Sequence, residues 1–155
     1  MREAILLLVT LCLVEGFRHQ AVAVKGRLMC GSTPARNTRV KLWEEDSGPD
    51  PDDLLDQGYT DANGEFFLKG DTMELTNIDP VFKVYHDCDD GIKPGKRKVK
   101  FKIPHSYTNN GKTAKRVFDL GVINLETIFK HEERELISSK RRRHVDSFEM
   151  NNDYW

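Results

Sequence analysis

Two cysteines, Cys30 and Cys88, each fall on the apolar side of a strand-like alternation, and this restricts the fold more than any other feature of the chain. Val22, Val24, Gly26, Leu28 and Cys30 take alternate positions with Lys25 and Arg27 between them, the pattern of a strand with one buried face. Phe82, Val84, His86 and Cys88 repeat it, so both thiols point inward. The third cysteine, Cys12, lies in an apolar run over residues 4–14 behind Arg2. That run is too short to cross a bilayer, and small residues follow it. It fits a secretion signal over residues 1–16, with cleavage open as far as about residue 23. Removing the signal leaves one pair of thiols in a compartment where disulfides persist. A bond between them would disfavour the unfolded chain by roughly 4 kcal/mol. Two free buried thiols are the competing reading.

The rest of the periodicity is that of short strands. Val40 and Leu42 alternate with Arg39, Lys41 and Trp43, then run into an acidic, Pro/Gly-rich loop expected over residues 44–56. Residues 59–68 read as strand, turn, strand, because Asp61-Ala62-Asn63-Gly64 accepts positive φ at little steric cost. Val99, Phe101 and Ile103 alternate with Lys98, Lys100 and Lys102; Asn109-Asn110-Gly111 marks a turn; Phe118, Leu120 and Val122 mark a last strand. Seven short strands in about a hundred residues suggest an antiparallel sandwich. Ile128, Phe129, Leu136 and Ile137 allow a short amphipathic C-terminal helix. One domain is expected over residues 22–137, with a disordered basic and polar tail over 138–155. No second apolar segment is long enough for a membrane span.

Four blocks carry a resemblance to a family. Val24-Lys25-Gly26-Arg27-Leu28-Met29-Cys30 comes first, then Val40-Lys41-Leu42-Trp43-Glu44 and Thr60-Asp61-Ala62-Asn63-Gly64-Glu65-Phe66. Tyr85-His86-Asp87-Cys88 follows, with Ile103-Pro104 after it. In this order they resemble the secreted nematode transthyretin-like proteins. The resemblance implies an all-β, transthyretin-like sandwich of seven to eight strands, secreted and without known enzymatic activity. Related enzymes that hydrolyse 5-hydroxyisourate need a C-terminal Tyr-Arg-Gly-Ser, whereas this chain ends Asn152-Asp153-Tyr154-Trp155. Vertebrate transthyretin carries a helix between its fifth and sixth strands; here Gly91, Pro94 and Gly95 oppose one. Neither purine hydrolysis nor hormone transport carries over.

No nucleophile and base share a recognised motif, so no catalytic residue is expected. His86 reads as a core histidine bonded to backbone, and Asp87, Asp89, Asp90 and Gly91 as a solvated acidic turn; neither implies a metal, and no cofactor is implied. The sharpest functional signal is basic: Lys93, then Lys96, Arg97, Lys98, Lys100 and Lys102, with the last three on one outward face. Such a stripe can collect anionic head groups or an acidic protein patch, though lysines on an exposed strand also block edge-to-edge aggregation. Trp43, on the polar side of its strand, is either an aromatic contact in a binding face or covered by a neighbouring segment. Lys140-Arg141-Arg142-Arg143 fits a processing site that would release residues 144–155, with a polybasic extension that binds anionic surfaces and a solvated tail as the competing readings.

The function expected is a secreted, non-enzymatic binding or signalling module. Its partner would be a cell-surface receptor or an anionic membrane surface bearing phosphatidylserine, and not a nucleic acid, since no aromatic pattern for base stacking accompanies the lysines. A precursor that releases its C-terminal peptide and a carrier of a small hydrophobic ligand are the alternatives. The sequence does not set an oligomeric state.

Overall fold

The computed structural model describes residues 17–45 and 52–136. Its strands are β1 (Arg18–Cys30), β2 (Thr33–Pro34), β3 (Arg39–Glu44), β4 (Asp53–Tyr59), β5 (Glu65–Glu74), β6 (Pro80–His86), β7 (Lys96–Lys102), β8 (Asn109–Asn110), β9 (Val117–Asn124) and β10 (Glu133–Glu135), with one 3-10 turn over His105–Tyr107. In the first sheet β1 is central, paired with β5 on one side and with β2, β8 and β9 on the other. The second runs β10-β7-β6-β3-β4. Every pairing is antiparallel except β1 with β9. No helix among the described residues is long and apolar enough to cross a membrane.

Alternation builds the core. Val22, Val24 and Leu28 of β1 and Phe66 and Leu68 of β5 face Val40, Leu42, Phe82 and Val84 of the second sheet. The rings of Phe66 and Phe82 stack across the interface with centroids 4.4 Å apart. Cys30 and Cys88 are bonded, their Cα atoms 5.7 Å apart, and tie the end of β1 to the segment after β6. His86 is buried, and its Nδ1 accepts a hydrogen bond from the Cys88 backbone N–H at 3.2 Å.

Several local expectations are corrected. The strand, turn, strand over residues 59–68 is present, but β4 pairs with β3 and β5 with β1, so the turn carries the chain between sheets. The Asp61 carboxylate accepts from the backbone N–H groups of Asn63 and Glu65, and Gly64 takes φ +76°. A Cβ at Gly64 would lie 2.2 Å from the Leu28 carbonyl oxygen, so glycine is required for close approach as well as for torsion. In β9, Phe118 and Leu120 pack on the core, but Val122 is 67% exposed and Ile123 turns inward instead. The cause is Gly121, at φ +72°, where the register against β1 slips.

The C-terminal helix is replaced by β10, which pairs with the edge of β7. Its charged residues have partners across the ladder that a helix would turn away. The acidic stretch is shorter than expected, since β3 continues to Glu44 and β4 begins at Asp53. The first strand starts at Arg18, and residues 20–24 are buried throughout. The secretion signal, the basic tail and the tetrabasic run Lys140-Arg141-Arg142-Arg143 lie outside the described residues.

Candidate functional site on the outer face of the second sheet

Residues paired directly across an antiparallel ladder share a face, so register alone locates the basic stripe. Lys41, Lys83 and Lys100 are consecutive cross-strand partners on β3, β6 and β7. One pair further along lie Arg39, Tyr85 and Lys98, with Glu133 of β10 beyond them. The stripe expected on one strand is therefore part of a lysine field across three, with Trp43 and Tyr85 set among the amines.

Most of these lysines have carboxylate partners. Lys83 Nζ lies 2.7 Å from Glu45, which is 3.5 Å from Lys100. Lys100 reaches Glu133 at 3.4 Å, and Lys98 bridges Glu133 and Glu135 at 3.2 and 3.4 Å. Lysine and glutamate thus alternate in an unbroken ladder from Lys83 to Glu135 in which the charges balance. The proton equilibria agree. Burial pulls Lys98 down, but Glu133 and Glu135 more than offset it and hold the ammonium above its usual range. Burial pushes Glu45 up, but Lys83 and Lys100 hold it below the usual carboxylate range. Exposed pairs contribute little each; a shared network on a half-buried face is better placed to fix geometry.

Lys41 stands apart. It is 7% exposed, and its Nζ sits over the Trp43 and Tyr85 rings, 5.6 and 5.1 Å from their centroids. Among the described residues it has no carboxylate or hydrogen-bond partner. Burial, then the Arg39 charge, lowers its pKa, with only Glu135 acting in the opposite sense to any degree. Trp43 is half-buried; Lys83 Nζ also lies over it at 4.8 Å, and its indole Nε1 is buried with no acceptor among the described residues. Burial pushes the Tyr85 hydroxyl up to about 12, so the phenol stays protonated.

The remaining members of the stripe divide. Lys93 and Lys102 are exposed and without ionic partners among the described residues, and Lys96 pairs with Asp87. Lys102 borders a cleft of about 420 Å³ beside the exposed Asp79–His105 pair, whose atoms are 3.3 Å apart. Arg97 is not on this face at all. It is buried, and all five of its N–H donors are used: on the carbonyls of Cys88, Leu125 and Thr127, and in a double contact with Glu132 at 2.5 and 2.8 Å. The acidic turn is likewise not simply solvated, since Asp90 is buried against Arg134, whose hydrogen bonds hold its carboxyl below the usual range. Among the described residues, no group of three or more His, Cys, Asp or Glu could hold a metal ion.

A disulfide-linked sandwich of two sheets, one carrying a lysine-rich outer face, defines a small β-sandwich module. The sequence profile of the transthyretin-like family matches residues 25–104. Transthyretin-like protein 46 of Caenorhabditis elegans is 67% identical over 140 residues, covering 90% of this chain and 78% of that protein. Transthyretin-like protein 33 of the same species is 48% identical over 123 residues, with 79% and 86% covered. Transthyretin-like protein 5 is 44% identical over 136 residues, with 84% and 98% covered. The chain belongs to the transthyretin-like family, whose members are generally non-enzymatic and typically secreted.

Lys41 and Lys83 were missed as site residues because each looks, within its own strand, like an ordinary outward lysine. Only the register of β3 against β6 aligns them. The acidic segment after residue 131 was missed for the same reason: its partners lie more than thirty residues earlier in the chain.

Proposed function

We propose that this chain is a secreted, non-enzymatic module that attaches to anionic membrane surfaces, phosphatidylserine head groups foremost, through the outer face of its second sheet. The observation that carries the reading is charge left over on that face. The ladder is balanced, while Lys41 and Lys102 have no carboxylate partner among the described residues, and exposed Lys93, in the loop before β7, adds a third unpaired amine. Net charge for the whole chain is only −1, so this is an asymmetry of one face and not a property of the composition. An ammonium near an anionic bilayer contributes about 1 kcal/mol, so three give attachment that is measurable and sensitive to salt.

Co-sedimentation with vesicles tests this. The protein is expected to partition to phosphatidylserine-containing vesicles over phosphatidylcholine vesicles and to be released by salt. Lys93→Glu with Lys102→Glu should weaken partitioning at least ~30-fold, the loss of about 2 kcal/mol before repulsion is counted. Both positions are exposed, so folding should be unaffected. Equal binding to the two kinds of vesicle would exclude the reading.

A further inference from the structure

A buried cation without a counter-charge is costly, and proteins ordinarily pair it. Lys41 is such a group: nine-tenths buried, facing two aromatic rings, and opposite another lysine in register. Glu45 cannot serve it, being held between Lys83 and Lys100. A second donor, Nε1 of the same Trp43, also lacks an acceptor among the described residues. The ring faces favour the cation but supply no lone pair for its N–H groups. What this cluster lacks is one compact, negatively charged acceptor.

We infer that Lys41 is the recognition point for a single phosphate-type oxyanion, bound beside the Trp43 and Tyr85 rings that flank it in the lysine field. The inference deepens the membrane reading and rests on this face being the contact surface. A phosphate oxygen would accept from Lys41 Nζ while the ladder holds Lys83 alongside. The chemistry is the same whether the phosphate belongs to a lipid head group or is free in solution, and in the row Lys41–Lys83–Lys100 only Lys41 lacks a carboxylate partner among the described residues. Lys41 then has a reason to be there that folding does not supply: an apolar chain of similar length would fill the site without desolvating an ammonium.

The test is a titration of the full secreted chain with inorganic phosphate, with sodium chloride at matched ionic strength as control. The readout is the indole N–H resonance of Trp43, assigned with Trp155→Phe. A saturable shift in phosphate alone, abolished by Lys41→Met and restored by Lys41→Arg, is the expected result. Lys41→Met should also keep or raise the Tm, showing that the loss is not unfolding. No shift, or the same shift in Lys41→Met, overturns the inference. Vesicle binding separates it from the broader reading. Phosphate binding without vesicle binding supports the site and assigns it a soluble anion. Vesicle binding that Lys41→Met leaves intact, with phosphate silent, overturns the site and leaves the membrane reading standing.

Discussion

Arg97 stands among lysines in the sequence and yet does the opposite job. It has the parity of Val99 and Phe101, so alternation already turns it inward; what alternation cannot supply is its counter-ion, because Glu132 lies 35 residues away. With five donors satisfied, the guanidinium joins β7 to the Cys88 loop and to the segment that leads into β10. Breaking a buried pair by removing one partner costs about 3–5 kcal/mol, because the other charge is left buried. Glu132→Ala should therefore lower the unfolding free energy, measured by urea titration, by an amount in that range, whereas Glu133→Ala, whose partners are only half-buried, should cost less than about 1 kcal/mol. Near-equal effects would contradict the assigned roles. His86 gives a second residue-scale prediction. Burial, then the Arg97 charge, lowers its pKa from 6.5 to about 4. As pH falls the unfolded chain therefore takes up this proton first. The contribution is complete above about pH 6.5 and is lost as pH falls toward 4, a total on the order of 3 kcal/mol. The carboxylates held low by Arg97 and Arg134 lose theirs further into acid. His86→Asn keeps an acceptor for the Cys88 N–H and should flatten the dependence of the urea midpoint between pH 6.5 and 4; an unchanged slope would argue against it.

Elements were legible where a period and a turn agreed. The inward face of β1, the parity of β6 and the Asp61-to-Gly64 turn follow from alternation and from residues that tolerate positive φ. Three features were not legible, each for a physical reason. The turn joins two sheets, since pairing partners are chosen by long-range packing and not by the turn itself. The Gly121 bulge shifts Val122 outward, because one extra residue inverts the parity of all that follow it. β10 forms from a segment with a helix-like scatter of apolar residues because Lys98 and Arg97 supply partners for its acids. Gly64→Ala should be destabilising by more than about 1 kcal/mol, through both its left-handed torsion and the clash with Leu28 O, measured as a fall in Tm. The extent of β1 bears on processing as well. Arg18 to Ala23 already pair with β5, so cleavage after Ala23 would strip half the strand. N-terminal sequencing of protein recovered from the medium of expressing eukaryotic cells should start no later than Arg18; a start at Val24 would contradict the placement of the strand.

At the scale of the whole molecule the two sheets have different work. The first sheet, the core and the Cys30–Cys88 bond hold the sandwich together. That bond spans 58 residues of sequence, and removing it with Cys30→Ala and Cys88→Ala should cost about 4 kcal/mol in the chain-entropy account. The second sheet turns outward a field of lysines, mostly bound into a charge-balanced ladder, with Lys41 left over. This division explains how a chain of net charge −1 can present a basic surface, and why composition alone did not reveal it. The most direct test of the account maps that surface: amide shifts of the full chain on titration with a soluble phosphatidylserine analogue. The account predicts that they cluster on β3, β6 and β7, around Lys41, Lys83 and Lys102. Shifts confined to the outer face of the first sheet, around Phe67 and Val122, or none at saturating analogue, would contradict it.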